Sequence, residues 1–359
     1  MLIFFIRHGE TVDNVAGVYA GVRDSELTNH GILQARQLGD YLKQSRCSIR
    51  LIFASPLQRA RRTAEAILDA QSKTQCASAA GCTTSPDRTS TNLVKTPLIM
   101  EQDFGFYEGK PFYARSADSQ KTGKAAHYDK HKQDPGFQDV ETAESMAKRC
   151  DKFLDEFLLP AVHEDCIEDT GVAVVAHGII LSHLWRRFLL RLSKRSITIA
   201  PEVTAAKGQI ILEHLGGWSN TGFLEVQLLR KKLVGGNSMQ AATSVTAQAA
   251  RQDRLGADSI LVTDENATLA QVQDVPGSSL LASPVPTSTE AVADPTIPDL
   301  DSQSMPPPQK TLADYDITIL TVNGQEHMKG VKRARGGIGS AKFDEGQKSL
   351  DSFFKRAKK

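Results

Sequence analysis

The sequence predicts an α/β fold with three layers, α/β/α, around a largely parallel central sheet. Two apolar runs, residues 2–6 and 172–176, indicate buried strands, and each leads into a His-Gly pair. Ligands of open α/β sheets bind at the carboxyl ends of such strands. Helix-like segments separate the strand-like runs, and this alternation is typical of a parallel sheet covered by helices on both faces. We therefore expect the two histidines to meet in one pocket.

Five strands and several helices are predicted in order along the chain. The strands are expected at residues 2–6, 50–54, 172–176, 210–214 and 223–229. Helices are expected over 29–43 and 143–158, because apolar residues recur there at helical spacing. Ser55 and Pro56 predict the start of another helix, as its N-cap and its first residue. Residues 71–96, rich in Ser, Thr and Ala, are expected to form a surface insertion.

The composition divides the chain into a folded domain at 1–232, a disordered linker at 233–312 and a basic tail at 313–359. No Phe, Tyr or Trp occurs between Leu224 and Asp314, and eight of the fifteen prolines lie in the second half of that stretch. Such a segment buries too little apolar surface to offset its chain entropy, which predicts disorder. After it, residues 316–322 form a strand-like run before an Asn-Gly turn signal. This run is expected to pair with a sheet edge or with a partner.

Five short motifs follow one another through the predicted folded domain. They are Arg7-His8-Gly9-Glu10-Thr11 with Asn14, Leu27-Thr28-x-x-Gly31-x-x-Gln34-Ala35, Ser55-Pro56-Leu57-x-Arg59-Ala60-x-x-Thr63-Ala64, Glu101-Gln102-Asp103-Phe104-Gly105-x-x-Glu108-Gly109 with Glu144-Ser145 after it, and Ala176-His177-Gly178. This ordered set resembles the histidine phosphatase (phosphoglycerate mutase-like) superfamily, over roughly the first 230 residues. The resemblance implies a catalytic domain at 1–232 and phosphoryl transfer through a phosphohistidine.

The chemistry of phosphoryl transfer suits the residue types in these motifs. The reaction needs a nucleophile and groups that neutralise charge on the phosphoryl oxygens. A neutral ring nitrogen of His8 can attack phosphorus, and the guanidinium groups of Arg7 and Arg59 can clamp phosphate oxygens bidentately. Gly9 is expected to let the backbone approach the phosphate without a side-chain clash. By resemblance, Asn14 also binds the substrate.

The resemblance assigns two further catalytic roles. His177 is expected to donate a hydrogen bond to the phosphate, and Glu101 to protonate the leaving oxygen, a role worth about 10²- to 10⁴-fold in rate. Asp103 and Glu108 lie in the same segment, and spacing alone does not rank the three carboxylates. The resemblance favours Glu101.

The remaining composition predicts an intracellular protein without a metal, a cofactor or a membrane span. The other histidines have no carboxylate or cysteine at the spacing of metal ligands. The five cysteines form no CxxC pair, and no secretory leader is recognised, which favours a reduced compartment. The apolar start is far shorter than the roughly 20 residues that a membrane helix needs.

A second motif lies in the basic tail. Residues 347–354 resemble a PIP box, the peptide that binds the sliding clamp PCNA. Its pattern is carried by Gln347, Leu350, Phe353 and Phe354. One short 3₁₀ turn would place the three apolar side chains on one side as anchors. The two phenylalanines could instead dock on the catalytic domain or form an amphipathic patch.

The charge of the tail suggests where the protein acts. Residues 330–359 carry nine Lys or Arg and three acidic residues. Two basic clusters, at 332–335 and 355–359, fit a nuclear import signal, and the same charges would also attract nucleic acid. We therefore expect a nuclear or cytoplasmic location, with nuclear residence required for clamp binding.

Three functions remain open at this stage. The first is a metal-independent phosphomonoesterase recruited to a nuclear clamp by its tail. The second is a phosphoglycerate-type mutase, which is less favoured because Arg115 is the only arginine between residues 106 and 139. The third is a scaffold that binds a phosphorylated ligand without turnover.

Overall fold

The computed structural model of the 359-residue chain describes residues 1–44, 47–78, 91–111, 128, 131–164, 170–231, 311–332 and 338–344. The predicted α/β class is confirmed. Within the described residues, one sheet contains seven strands: β1 (Leu2–Arg7), β2 (Ser48–Ala54), β3 (Asn92–Lys95), β4 (Thr170–Ala176), β5 (Ile197–Ile199), β6 (Phe223–Arg230) and β7 (Tyr315–Gly324). Their order in the sheet is β3-β2-β4-β1-β6-β7-β5.

The sheet is largely parallel, as predicted. Strand β1 pairs in parallel with β4, and β2 lies between β4 and β3 in the same direction. Strand β6 alone runs against its neighbours β1 and β7, and β5 is parallel to β7. The carboxyl ends of β1, β4 and β7 therefore share one edge of the sheet with the start of β6. We call this the catalytic edge, because the two His-Gly motifs, whose histidines the sequence predicts to be catalytic, lie there.

Helices cover both faces of the sheet. They are α1 (Val12–Ala16), α2 (Asn29–Lys43), α3 (Gln58–Ser78), α4 (Ala143–Phe153), α5 (Leu159–Glu164), α6 (Gly178–Leu189) and α7 (Pro201–Lys207). A π-helical turn, Leu154–Leu158, joins α4 to α5. Alternate residues of β1 face opposite cores: Phe4 packs in the cluster that includes α2 and α3, and Phe5 in the cluster that includes α4 and α6. This alternation separates the three layers.

The two predicted helices form where their end signals lie. The side chain of Thr28 accepts a hydrogen bond from the amide of Gly31 and caps α2, and the side chain of Thr142 caps α4 in the same way through the amide of Ser145. Leu38 and Leu42 are fully buried on the core face of α2. Amphipathic spacing and capping residues together predicted both helices correctly.

Three local predictions were wrong. Residues 210–214 form a turn with one isolated bridge between Ile211 and His214. Both residues are exposed, and no strand among the described residues pairs with them. Helix α3 begins at Gln58, so Ser55 is not its N-cap. The predicted insertion at 71–96 begins with the last turns of α3, through Ser78, and ends with the edge strand β3. Residues 79–90 lie outside the described residues.

Strand β7 confirms the strand expected at residues 316–322 and pairs it with the sheet. The expected tail began at residue 313, but residues 315–324 pair with β6 on one side and β5 on the other. The alternating burial of β7 explains this position, since Ile317 and Ile319 are fully buried in the same core as β6. The described residues before and after the predicted linker belong to one compact unit. The linker at 233–312 lies outside the described residues except for 311 and 312.

Candidate active site

The side chain of His8 lies directly after β1 at the catalytic edge. It is 4% exposed, and its Nδ1 is 2.7 Å from the carbonyl oxygen of Gly9. A carbonyl oxygen only accepts hydrogen bonds, so Nδ1 of a neutral ring carries the proton. The other ring nitrogen, Nε2, then keeps its lone pair. This is the tautomer that a histidine nucleophile requires.

The surroundings keep the imidazole of His8 neutral. Burial lowers its pKa well below 6.5, and the charges of Arg59 and Arg7 lower it further, against a raising effect of the hydrogen bond to Gly9. The ring therefore stays unprotonated across the neutral range.

His177 follows β4 and lies beside His8. The two ring centroids are 5.1 Å apart, which brings the two predicted histidines together as expected. Nε of Arg59 donates to Nδ1 of His177 at 3.1 Å, so the proton of the neutral ring is on Nε2, which is 2.8 Å from Oγ of Ser55. Burial, followed by the charge of Arg59, lowers the pKa of His177 well below 6.5. His177 thus carries its N–H on the nitrogen opposite to that of His8.

Two arginines bring positive charge to the histidines. Arg59 lies in the first turn of α3, is 1% exposed and donates to the carbonyl oxygens of Ala20, Gly21 and Arg23. Burial lowers its pKa to about 10, which still leaves it charged near neutrality. Arg7 donates to the carbonyl oxygen of Trp218. A buried and a half-buried guanidinium beside two neutral imidazoles favour an anion such as a phosphate.

The hydrogen bonds of Glu101 distinguish it from the neighbouring carboxylates of Asp103 and Glu108. Oε1 of Glu101 accepts from the amide of Ile180 at 3.0 Å, and Oε2 accepts from the amide of Ile179 at 3.2 Å. These amides belong to the first turn of α6, which begins directly after His177. Glu101 is 8% exposed, and its charge acts on Arg59. Glu101 is therefore a member of the histidine and arginine cluster.

Glu108 and Asp103 serve the backbone of nearby loops. Glu108 accepts hydrogen bonds from the amides of residues 21, 22, 23 and 104, and so ties the loop that receives Arg59 to the segment that holds Glu101. Asp103 accepts from the amide of Gly105 at 2.7 Å. Of the three carboxylates that the sequence left open, Glu101 alone is hydrogen-bonded to the start of α6 among the described contacts.

Gly9 and Asn14 also lie at the catalytic edge, and each has its own packing or hydrogen-bonding role within the protein. A Cβ at Gly9 would stand 2.6 Å from the carbonyl oxygen of Gly31, so packing between the two backbones requires glycine here. The close approach that the sequence assigned to a ligand is thus made by the protein itself. Asn14 forms a capping box with Thr11 and accepts from Nδ2 of Asn220, which also donates to the carbonyl oxygen of His8.

Sequence reasoning missed three residues that support this cluster. Ser55 contacts His177, and the hydroxyl of Thr63 accepts from the amide of Gly9 at 3.1 Å while it donates to the carbonyl oxygen of Arg59. Both lie within the third motif, which was the available signal. Asn220 lies in no motif. It comes just before β6, and only the antiparallel direction of β6 brings that strand start to the catalytic edge.

Other predictions concern features away from this cluster. Residues 347–354, with Gln347, Leu350, Phe353 and Phe354, lie outside the described residues. Within the described part of the chain, no group of three or more His, Cys, Asp and Glu residues could hold a metal ion. The described helices are all too short or too polar to cross a membrane.

Comparisons with known proteins place this cluster in a family. The model of the histidine phosphatase superfamily (branch 1) matches residues 3–200. A probable phosphatase of Schizosaccharomyces pombe is 30% identical over 187 residues, which are 52% of this chain and 56% of that protein. A probable phosphoglycerate mutase, GpmB, of Erwinia tasmaniensis is 31% identical over 183 residues, which are 51% of this chain and 72% of that protein.

Solved structures resemble the chain more distantly. A mycobacterial glucosyl-3-phosphoglycerate phosphatase in complex with VO3 covers 64% of this chain and 91% of its own length, at 21% identity and a TM-score of 0.44. The alignment with the yeast phosphatase spans little more than half of that protein. The family model covers more than half of this chain and contains the His8, Arg59 and His177 motifs. The chain is a member of the histidine phosphatase superfamily.

Proposed function

We propose that the chain hydrolyses phosphate monoesters through a covalent phosphohistidine at Nε2 of His8. One observation carries the proposal: the hydrogen bond from Nδ1 of His8 to Gly9 leaves Nε2 unprotonated, inside a buried cluster that holds two guanidiniums. The Nε2 lone pair forms the new bond to phosphorus as the bond from phosphorus to the ester oxygen breaks. Water then attacks the phosphohistidine, and inorganic phosphate leaves with His8 restored.

The other residues of the cluster have defined tasks in this scheme. Arg7 and Arg59 neutralise the charge that is spread over the three equatorial oxygens of the transferring group. His177 donates its Nε2 proton toward the same oxygens, in a hydrogen bond that it shares with Oγ of Ser55. Glu101 gives a proton to the departing alcohol and recovers one from the attacking water.

The scarcity of arginine between residues 106 and 139 favours a phosphatase over a mutase. A phosphoglycerate-type mutase must hold a substrate carboxylate and a second phosphate, and bidentate arginines are the usual partners for such groups. Residues 106–111 and 131–139 of the described chain contain no arginine, and Arg115 is the only one in the wider segment. A single phosphate can be neutralised by Arg7 and Arg59 alone.

The test measures hydrolysis of p-nitrophenyl phosphate in the presence of EDTA. We expect turnover by the wild type, none by His8→Ala, and a loss of about 10²- to 10⁴-fold for Glu101→Gln. His183→Gln is the matched control, because His183 is also buried on α6 but none of the described contacts joins its side chain to the cluster. Equal turnover by the wild type and His8→Ala would reject the mechanism. Binding of phosphate without turnover by the wild type would favour the scaffold alternative.

The proposal extends to recruitment by the C-terminal motif. The pattern at 347–354 supports binding to the PCNA sliding clamp in the nucleus, with Phe353 and Phe354 as anchors and Gln347 as a polar contact at the rim. Full-length protein is expected to bind the clamp at micromolar concentration. The variant with Phe353→Ala and Phe354→Ala should lose this binding and keep its phosphatase activity. Failure of the wild type to bind would reject recruitment and leave the catalytic proposal standing.

A further inference from the structure

The loop from Trp218 to Gly222 holds the backbone of both key residues of the first motif. Nδ2 of Asn220 and the amide of Thr221 donate to the carbonyl oxygen of His8, at 3.2 Å and 3.1 Å. The amide of Arg7 donates to the carbonyl oxygen of Gly222 at 3.1 Å, and the Arg7 guanidinium donates to that of Trp218. We call residues 218–222 the support loop. Its position sets where Arg7 and His8 stand.

The support loop is held from its other side by the end of β7. Oδ1 of Asn323 accepts from the amide of Ser219 at 2.8 Å, and Nδ2 of Asn323 donates to Oγ of Ser219 at 3.0 Å. One amide side chain thus makes both of its hydrogen bonds to one residue of the loop. A two-point contact of this kind fixes orientation as well as distance.

His327 adds a second point of attachment. Its Nε2 is 2.8 Å from Oγ1 of Thr221, and that hydroxyl donates its own hydrogen to the carbonyl oxygen of Asn220 at 2.7 Å. Oγ1 must therefore accept from His327, which places the imidazole proton on Nε2. His327 is 6% exposed and lies beside the rings of Tyr41 and Phe223. The chain of hydrogen bonds runs from β7 through the loop to His8.

The backbone at this contact has a shape that needs support. Asn323 and Thr221 have φ angles of +48° and +55°. Among the described residues, they are the two that have a positive φ and are not glycine. A Cβ at Gly222 would stand 2.2 Å from Oδ1 of Asn323. Left-handed conformations of this kind cost about 1–3 kcal/mol and persist only where the surroundings hold them. They cluster at functional sites, which agrees with the place of this loop.

We propose that Asn323 and His327 are positioning residues for the phosphoryl-transfer site. They do not contact His8 themselves; they hold the support loop, and the loop holds the backbone of Arg7 and His8. The segment after the predicted linker therefore completes the catalytic edge that the first motif begins. This inference rests on the proposed function, since it assigns the contacts a role in catalysis.

The kinetic test compares variants of the full-length protein. Asn323→Ala is expected to lower kcat about tenfold with KM changed by less than about twofold, because a displaced nucleophile mainly weakens the transition state. His327→Leu is expected to do the same, and His327→Gln to recover most of the rate, because its amide can still donate to Thr221. Thr321→Ala is the matched control, since Thr321 lies on β7 but donates to Glu225 at 3.0 Å, away from the support loop.

The outcomes separate a positioning role from a purely structural one. If Asn323→Ala and Thr321→Ala show the same kcat and the same fall in melting temperature, the positioning role is overturned. If His327→Gln is as slow as His327→Leu, the hydrogen bond to Thr221 is not the cause, which also overturns that part.

A second measurement does not depend on turnover. The ¹⁵N resonances of the His8 imidazole and of the Arg7 guanidinium should move in Asn323→Ala and stay in place in Thr321→Ala. Unchanged resonances in Asn323→Ala would overturn the inference even if the wild type is an active phosphatase. The resonances could also shift in Asn323→Ala while the wild type shows no turnover. That result would reject the proposed function and leave the structural link between β7 and His8 intact.

Discussion

Replacing Ser55 with alanine tests whether this hydroxyl positions His177 or only supports the start of α3. The sequence pattern predicted an N-cap, and an N-cap variant would lose stability alone. The structure shows a hydrogen bond of 2.8 Å between Oγ of Ser55 and Nε2 of His177. A residue that orients His177 should also affect the rate, so the two interpretations differ in what they predict for activity.

The size of the effect follows from the burial of both groups. Ser55 and His177 are each 0% exposed, so no water can replace the missing oxygen in Ser55→Ala. An imidazole N–H left without a partner costs about 1–3 kcal/mol, and we take about 2 kcal/mol for this bond. If the whole of this cost raises the free energy of the transition state, kcat/KM falls by about 30-fold. If it lowers the free energy of unfolding instead, the melting temperature falls by roughly 4–8 °C.

The assay combines hydrolysis of p-nitrophenyl phosphate with thermal unfolding. Thr96→Ala is the matched control: Thr96 is 2% exposed, and its side chain accepts from the amide of Leu98 at the start of a 3₁₀ turn, without contact to the histidines. We expect both variants to lose stability and only Ser55→Ala to lose activity. Ser55→Ala with the kcat/KM of the wild type would refute the positioning of His177 by Ser55.

Three further predictions concern stability. Lowering the pH from about 7 to about 5 should reduce the free energy of unfolding, because burial lowers the pKa of His183 and of His327 to about 4, so the unfolded chain binds protons that the native chain does not. This stability is complete above pH 6.5 and is lost as the pH falls toward 4; a flat dependence in urea unfolding would contradict it. Arg149→Gln should lower the melting temperature by roughly 6–12 °C, since it leaves Glu141 and the carbonyl oxygens of the 98–101 segment without their shared donor, a loss of about 3 kcal/mol. A fall of less than about 2 °C in a thermal melt would show that Arg149 is dispensable. Truncation at residue 310 should yield insoluble protein, because it removes β7 from between β6 and β5; a soluble fragment with the far-ultraviolet circular dichroism of a folded α/β domain would contradict this.

The parts of the site that the sequence predicted are those where local pattern and function coincide. An apolar strand that ends in His-Gly delivers its histidine to the sheet edge whatever the rest of the chain does, and so His8 and His177 were expected to meet. Arg59 was expected at a helix start, and the helix begins only one residue before it. These predictions depend on short stretches of sequence.

The parts that the sequence did not predict depend on contacts between distant segments. The hydrogen bond of Ser55 to His177 joins residues 122 positions apart, and no periodicity marks it. The role of Asn323 as a partner of Ser219 follows from the pairing of β7 with β6, across a segment whose composition gives no pairing signal. The strand predicted at 210–214 failed for a similar reason, because an apolar run forms a strand only where a neighbour accepts its hydrogen bonds.

The end of β6 and the start of β7 stand side by side at the edge of the sheet opposite to His8. Arg230 pairs with Tyr315, and the amide of Lys231 donates to the carbonyl oxygen of Asp314 at 2.8 Å. The distance that any connection must bridge there is thus already closed by the sheet, and doubling the length of a flexible connection adds only about 0.6 kcal/mol. This position is therefore a suitable site for inserting another domain. A reporter domain with adjacent termini, placed between residue 231 and residue 311 so that the buried Leu312 is kept, could be carried without disturbing the far end of the strands.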